Sequence, residues 1–283
     1  APAILVEQLE VLLRKSVKRQ LVADVPVGLL LSGGVDSSLI TALAASLGGR
    51  PKTFTVGFQH YLDYDETEHA RLIAHHFGTE HTVLQAGEST PDLLPVLAKQ
   101  FDEPIADPSM IPTFLVSKQI RGHCKVALGG DGGDELFGGY HSASLMATVQ
   151  KFLRYAPTWP RCALTELASR FTAIGSRERE FLAMLGANLQ SDVPPFAPHF
   201  DLRCRGQLLS HHRQWQFAAE AIRRSRVPDC SDGVQRLTRF DFTNYMVEDI
   251  LVKVDRASML SSLEVRSPFL DVSVVEFAFK SVP

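Results

Sequence analysis

The chain has 283 residues, 45% of them hydrophobic and 22% charged, with a net charge of −3. That length allows one large domain or two smaller ones, and so much apolar side chain excludes disorder as the dominant state. The near-neutral charge gives no overall drive toward nucleic acid or an anionic membrane surface.

Residues 4–21 carry apolar side chains at helical spacing (Ile4, Leu5, Leu9, Leu12, Leu13, Val17, Leu21), which predicts an amphipathic helix. Val25 to Leu31 is a short apolar run that ends in Ser32-Gly33-Gly34, the pattern of a buried parallel strand. From Ser37 the chain reads as a helix stopped by Gly48-Gly49. The alternation repeats: a strand at 53–58, a helix at 66–77 ended by Gly78, and a strand at 81–84. Helices follow at 93–101 and 111–120, and a buried strand at 124–128 leads straight into Gly129-Gly130-Asp131-Gly132-Gly133-Asp134. Strand and helix in alternation predict a doubly wound, mostly parallel α/β sheet over residues 1–140. Residues 141–283 show no clear strand and read as mainly helical, with a loop at Pro194, Pro195 and Pro198 and a break near Pro268. Residues 151–226 hold twelve Lys/Arg against six Asp/Glu. Without an aromatic-plus-basic module, a solvated helical face is the plainer reading of that excess, and an acidic ligand the other.

No stretch of roughly 18 residues is apolar without interruption, so no transmembrane helix is expected. Cys124, Cys162, Cys204 and Cys230 are far apart and form no C-x-x-C pair and no Cys/His metal spacing. A reducing, cytoplasmic compartment is the simpler expectation. Ala1-Pro2-Ala3 lacks the basic start and apolar core of a signal peptide, and both ends read as cuts from a longer chain.

The central signal is Ser32-Gly33-Gly34-Val35-Asp36-Ser37-Ser38. Glycines directly after a buried strand let backbone N–H groups converge, and the next helix points its positive end into the same space. Ser32, Ser37 and Ser38 add hydroxyl donors, so the nest suits a pyrophosphate. Asp36 would repel phosphate directly, but it fits as a ligand for Mg²⁺ that bridges to phosphate oxygens. The plainer alternative is a tight turn with Asp36 as a helix cap. The stretch matches neither G-x-x-x-x-G-K-[ST] nor G-x-G-x-x-G.

This loop resembles the pyrophosphate-binding (PP) loop of the N-type ATP pyrophosphatases, an adenine nucleotide alpha hydrolase-like fold. Those enzymes adenylate a carboxylate or carbonyl oxygen and release pyrophosphate. Three further stretches narrow the resemblance: Asp102-Glu103-Pro104 leading to Asp107-Pro108-Ser109, the run from Gly129 to Tyr140, and Asp255-Arg256-Ala257-Ser258-Met259 leading to Leu263–Asp271. In this order they resemble the synthetase half of glutamine-hydrolysing asparagine synthetases. The resemblance implies an ATP-dependent, AMP-forming ligase for asparagine biosynthesis that uses Mg²⁺. Its small-molecule substrates would be ATP, ammonia, and aspartate or another carboxylate (of a sugar, peptide or antibiotic precursor). A glutaminase domain would precede Ala1, a Lys-containing segment would follow Pro283, and a homodimer is compatible with the family. A non-catalytic nucleotide-binding domain is the reading from another class. Lys253 lies close in sequence to the expected Lys segment but does not match it.

Residue by residue, Leu31, Val56, Gly129 and Gly130 match the positions that frame the nucleotide, and Asp36 and Asp134 match the Mg²⁺-linked aspartates. If the strands at 25–31 and 124–128 are neighbours, these two aspartates would face each other across the pyrophosphate. Asp131 matches a position where asparagine synthetases carry Glu and β-lactam synthetase carries Tyr; a carboxylate there suits proton transfer from attacking ammonia. Glu103, Glu264 and Arg266, with Asp255 and Arg256, are candidates either for substrate binding or for internal ion pairs that fix packing.

Overall fold

The apolar run at 25–31 forms the central strand of a five-stranded sheet in a computed structural model. The structure describes residues 2–57, 65–86, 91–105, 107–153, 158–169, 171–173, 176–186, 188 and 221–282. The predicted loop at Pro194, Pro195 and Pro198, and Cys204, lie outside these residues. The strands are β1 (Val27–Leu30), β2 (Lys52–Gly57), β3 (Glu80–Gln85), β4 (Val126–Leu128) and β5 (Glu264–Arg266). Their spatial order is β3-β2-β1-β4-β5, and every neighbouring pair is parallel.

The chain builds outward from β1 in one direction and then crosses back to place β4 on its other side. Val27 pairs with Val126, Gly28 with Ala127 and Leu29 with Leu128. The topological switch point therefore lies between β1 and β4, where ligands of open parallel sheets bind. Close packing at this seam needs a glycine. A Cβ on Gly28 would stand 2.7 Å from the Phe54 ring and 2.8 Å from Cys124 Sγ.

Helices α1 (Pro2–Gln20), α2 (Val35–Ser46), α3 (Thr67–His76), α4 (Leu93–Gln100) and α5 (Met110–Ile120) follow the predicted order. Leu31 packs with Ala70 and Ala74 of α3, while Phe54, Ile120, Cys124, Ala127 and Leu263 form a second cluster with Leu30 and Val265. Leu30, which ends β1, and Leu31 just after it thus serve opposite faces, which explains the unbroken apolar run.

Two compact units emerge, one of residues 1–133 and 246–282 and one of residues 134–245. The sequence places its division at 140/141 instead. The difference comes from residues 246–282, which return to the sheet. There α11 (Leu251–Met259) packs on α5, β5 extends the sheet beyond β4, and α12 (Val272–Ser281) packs on α1. β5 also corrects the expectation that no strand follows Tyr140. Three residues are too few to show a period. Arg266 ties this edge to α1, donating to the carbonyls of Gln20 (2.6 Å) and Val22 (2.9 Å).

The second unit is helical over its described residues: α6 (Gly133–Phe137, whose first residue belongs to the other unit), α7 (His141–Leu153), α8 (Thr158–Ser169), α9 (Arg177–Gly186) and α10 (Gly233–Asp241). A π-helical stretch, Phe242–Ile250, continues α10. Asp232 caps α10, accepting from the N–H groups of Val234 (2.9 Å) and Gln235 (3.0 Å), and Ala143, Met146 and Leu237 pack beneath it. Two of the basic residues described here have local partners: Arg223 lies over the Phe240 ring and Arg226 donates to Asn244. These contacts fit the structural reading of the basic excess.

This unit holds an acidic pair. Glu135 is buried and accepts from the Tyr140 hydroxyl. The Asp241 carboxyl is pushed up to about 7, first by burial and then by the charge of Glu135. A carboxyl that stays protonated in the fold but ionises near pH 4 when unfolded, as free aspartate does at about 3.9, makes stability fall as pH rises between about 4 and 7. Asp241→Asn is expected to flatten that fall and to stabilise the protein by on the order of 1–2 kcal/mol at pH 8. Chemical denaturation at pH 5 and pH 8 measures it, and equal slopes in the two proteins would refute the assignment.

Candidate functional site

The loop after β1 is built by its own hydroxyls. Ser37 Oγ donates to the Gly34 carbonyl (3.2 Å), lies 3.0 Å from Ser32 Oγ, and accepts from the Ser32 N–H (3.3 Å); Gly34 N–H donates to Ser32 Oγ (3.2 Å). Gly33 has φ +86°, a conformation suited to glycine. It is also pressed against α3, where a Cβ would come within 2.7 Å of His69 Cβ and 2.9 Å of the Ala70 nitrogen. α2 starts at Val35, so its N-terminal turn carries Asp36, Ser37 and Ser38. Ser38 Oγ is buried and makes no hydrogen bond within the described protein. A buried hydroxyl at a helix N-terminus is a ready donor to an anion.

The loop after β4 lies directly on that turn. A Cβ on Gly130 would meet Asp36 Cβ at 3.0 Å and the Ser37 nitrogen at 3.1 Å. A Cβ on Gly133 would fall 2.4–2.8 Å from the Asp36 carboxyl atoms. Glycine at 133 thus makes the space that the Asp36 carboxylate occupies. Gly129 donates its N–H to the Arg266 carbonyl (2.8 Å), which continues the sheet and aims the loop. Leu31 spends its N–H on Phe54 (2.9 Å), and its carbonyl accepts from the Thr55 hydroxyl. Val56 turns its side chain into the core.

Asp131 is partly exposed as a residue, yet its carboxyl is desolvated, which pushes its pKa up; the Lys253 ammonium pulls it back down. Lys253, on α11, is fixed by Asp107 Oδ2 (3.0 Å) and Ser109 Oγ (2.9 Å). Burial works to raise the Asp107 carboxyl, but the Ser109 hydrogen bonds and Lys253 outweigh it and hold it below the usual carboxylate range. Asp249 is pushed up by burial and by Asp107, with Lys253 opposing.

The structure therefore brings Ser32, Gly33, Gly34, Asp36, Ser37, Ser38, Gly129, Gly130 and Asp131 together within one unit. Asp134 falls in the other unit. Burial pushes its carboxyl up, and the carboxylate folds over Gly139, where a Cβ would clash at 1.9 Å. Four candidates stand apart. Glu103 is exposed between α4 and α5. Arg266 donates to Glu264 (2.6 Å) and to the end of α1, and Arg256 pairs with Asp102, both as exposed ion pairs. Sequence reasoning missed the conjunction of Asp107, Ser109 and Lys253. The signal available was a lysine inside the apolar stretch Ile250-Leu251-Val252-Lys253-Val254, since a lysine so placed is seldom unpaired.

Comparison with known proteins shows the family. The family described as asparagine synthase matches residues 8–283. The chain is 33% identical over 279 residues to asparagine synthetase [glutamine-hydrolyzing] 1 of Bacillus subtilis, covering 98% of this chain and 44% of that protein. It is 32% identical to a putative asparagine synthetase [glutamine-hydrolyzing] of Mycobacterium bovis, covering 96% of this chain and 42% of that one. It is 31% identical to putative asparagine synthetase [glutamine-hydrolyzing] 2 of Methanocaldococcus jannaschii, with 91% and 50% covered. The chain belongs to the asparagine synthase family, and it spans about half the length of these relatives. Asparagine synthase is an ATP-using family.

The Asp36–Gly133 contact gives a direct test. Gly133→Ala forces the Asp36 carboxylate to move, and is expected to weaken ATP binding in the presence of Mg²⁺ by about tenfold or more, the cost of roughly 1.4 kcal/mol. Calorimetric titration measures the binding, and thermal unfolding should change little. Native affinity in a folded Gly133→Ala protein would show that the Asp36 carboxylate has no part in binding.

Proposed function

We propose that this chain catalyses the synthetase reaction of asparagine formation. The β-carboxylate of aspartate attacks the α-phosphorus of ATP, the bond to the β-phosphate bridging oxygen breaks, and pyrophosphate leaves. Ammonia then attacks the acyl carbon of β-aspartyl-AMP, loses a proton, and expels AMP to leave asparagine. The observation that carries this reading is the contact of two glycine-rich loops at the β1/β4 switch point, with Gly130 and Gly133 lying on the Asp36 turn. The names of the relatives supply the substrate.

In this reading the hydroxyls of Ser32, Ser37 and Ser38 and the N–H groups that open α2 hold the departing pyrophosphate, and the positive end of α2 stabilises its growing charge. The backbone at Leu31, Val56, Gly129 and Gly130 frames the nucleotide. Asp36 is the carboxylate placed to hold Mg²⁺, an oxygen-ligand ion suited to a carboxylate beside phosphates. Mg²⁺, when bound, would neutralise phosphate charge. Asp134 enters through the sequence resemblance alone, as a second Mg²⁺-linked carboxylate. Asp131 accepts the proton that the attacking ammonia must lose, and its desolvation raises its basicity for that task. The glutamine-hydrolysing names and greater length of the relatives support a glutaminase domain as the source of ammonia in the full-length protein. A cytoplasmic setting belongs to the same proposal. No helix among the described residues is long and apolar enough to cross a membrane.

The test follows AMP and pyrophosphate release by the full-length protein given ATP, Mg²⁺ and ammonia, with and without aspartate. Release that depends on aspartate, with asparagine and AMP formed one to one, is the expected result. Release only with a different carboxylate would overturn the substrate, and ATP binding without turnover would overturn the reaction. Asp36→Ala is expected to cut turnover by about 100-fold or more, the scale of losing a transition-state charge partner, while folding survives.

A further inference from the structure

The segment that carries Asp134 is tied twice across one turn. Gly139 donates its N–H to the Asp134 carbonyl (3.1 Å), and one residue further along on each side the Tyr140 hydroxyl donates to the Glu135 carboxyl group. Gly138 lets the chain turn between them, with φ +67° in the left-handed region. The effect is seen at the Asp134 carboxyl, which lies so close to Gly139 that a Cβ there would stand 1.9 Å from Oδ1. Glu135 is 2% exposed, so the acceptor end of the second tie is out of solvent. Tyr140 is held from two more sides. Its carbonyl accepts from the Ala143 N–H (3.0 Å) in the first turn of α7, and its ring meets the Tyr245 ring edge-on with centroids 6.2 Å apart. All of these residues belong to one compact unit. Burying a carboxyl group is a costly way to close a turn, and an apolar pair would close it as well. A hydrogen bond adds direction, because it fixes donor and acceptor in both distance and angle. Here it fixes the residues on either side of the Asp134–Gly139 contact.

We propose that Tyr140 and Glu135 are positioning residues for Asp134: their hydrogen bond holds the Gly139 backbone against the Asp134 carboxyl and so sets the oxygens that this aspartate offers to Mg²⁺. The inference rests on the reading of Asp134 as a Mg²⁺-linked carboxylate. Mg²⁺ demands near-ideal octahedral geometry, so a displaced carboxylate loses affinity for the ion. Groups that orient a metal's ligands therefore control affinity without touching the metal. Tyr140 and Glu135 act through Asp134, so they tune the Mg²⁺-dependent part of nucleotide binding and leave the remainder to the loop at 32–38.

The experiment measures binding of α,β-methylene ATP, which cannot be cleaved between those phosphates, to the full-length protein with and without Mg²⁺. The readout is the affinity gained when Mg²⁺ is added. Tyr140→Phe keeps the ring and removes the donor. It is expected to cut that gain by about three- to tenfold, the scale of one hydrogen bond, and to leave affinity without Mg²⁺ within about twofold. Glu135→Gln, which keeps an acceptor for the hydroxyl, is expected to retain most of the gain. Asp134→Asn should cut the gain by about tenfold or more, and Tyr140→Phe should then cost less than about twofold further, because residues acting through one ligand are not additive. If Tyr140→Phe does not fold, Glu135→Met removes the acceptor instead of the donor, and the same loss is expected. Losses that multiply in the double variant, equal losses for Glu135→Gln and Tyr140→Phe, or affinity that falls equally with and without Mg²⁺ would overturn the proposal and leave the pair a clip for the fold. A native gain in Tyr140→Phe alongside a lost gain in Asp134→Asn would overturn it while sparing the role of Asp134. A native gain in Asp134→Asn would overturn the Mg²⁺ reading of Asp134, and this proposal with it.

Discussion

The parallel pairing of β1 with β4 is the constraint on which the rest of the site depends. These strands are nearly one hundred residues apart in the chain, and their register places Leu29 opposite Leu128. Each strand ends one or two residues before a glycine-rich acidic loop, so the pairing delivers both loops to the same edge of the sheet. Gly28 shows how tight the seam is, since any side chain there would collide with Phe54 and Cys124. Overpacking a core of this kind costs about 1–3 kcal/mol and shifts backbone. A shift at Gly28 would be transmitted within four residues to the hydroxyl-built loop at Ser32. Core packing and ligand geometry are therefore coupled by a very short length of chain.

Much of this was legible in the sequence because the chemistry is local. The run from Val25 to Ser38 is strand, loop and helix in succession, and each part follows from side-chain types within 14 residues. The same holds for the run from Cys124 to Asp134. What was not legible depends on residues that meet only after the fold closes. β5 has three residues, and it is a strand because β4 offers an open edge that pairs Ala127 with Val265. The compact units divide elsewhere than at 140/141 for a related reason. Residues 246–282 look like a continuation of the helical region, and only their packing on α5, β4 and α1 shows which unit they belong to. The clamp on Lys253 joins positions 144 residues apart, a relation no local pattern carries.

Arg266 and Glu264 of the Leu263–Asp271 motif illustrate the same limit from the other side. Their residue types suit a substrate carboxylate, and the family resemblance draws attention to them. Arg266 instead donates to two carbonyls at the end of α1 and to Glu264, and Arg19 pairs with Asp271, which itself caps α12. Orphan carbonyls at a helix C-terminus need donors, and a planar guanidinium can serve two at once. A motif can thus be tied to function by holding an edge strand, because β5 sets the position of the Gly129 N–H through the Arg266 carbonyl. The link from Arg266 to the glycine-rich loop after β4 runs through its backbone, and its side chain secures that backbone.

The glycines of the second loop extend this reasoning. Their number suggests a backbone opened for phosphate, as in the first loop. Contact distances give a second cause. Gly133 houses the carboxylate of Asp36, Gly139 houses that of Asp134, and a Cβ on Gly129 would touch Asp131 Oδ2 at 3.0 Å. Each of the three aspartates read as functional has a glycine against its carboxyl group. Steric confinement by backbone is one means of fixing where a carboxyl group sits. Glycine provides that confinement by bringing backbone where a side chain would otherwise stand. The carboxyl groups of Asp36, Asp131 and Asp134 thus share one physical feature: each sits against glycine backbone at a place where a Cβ would crowd it.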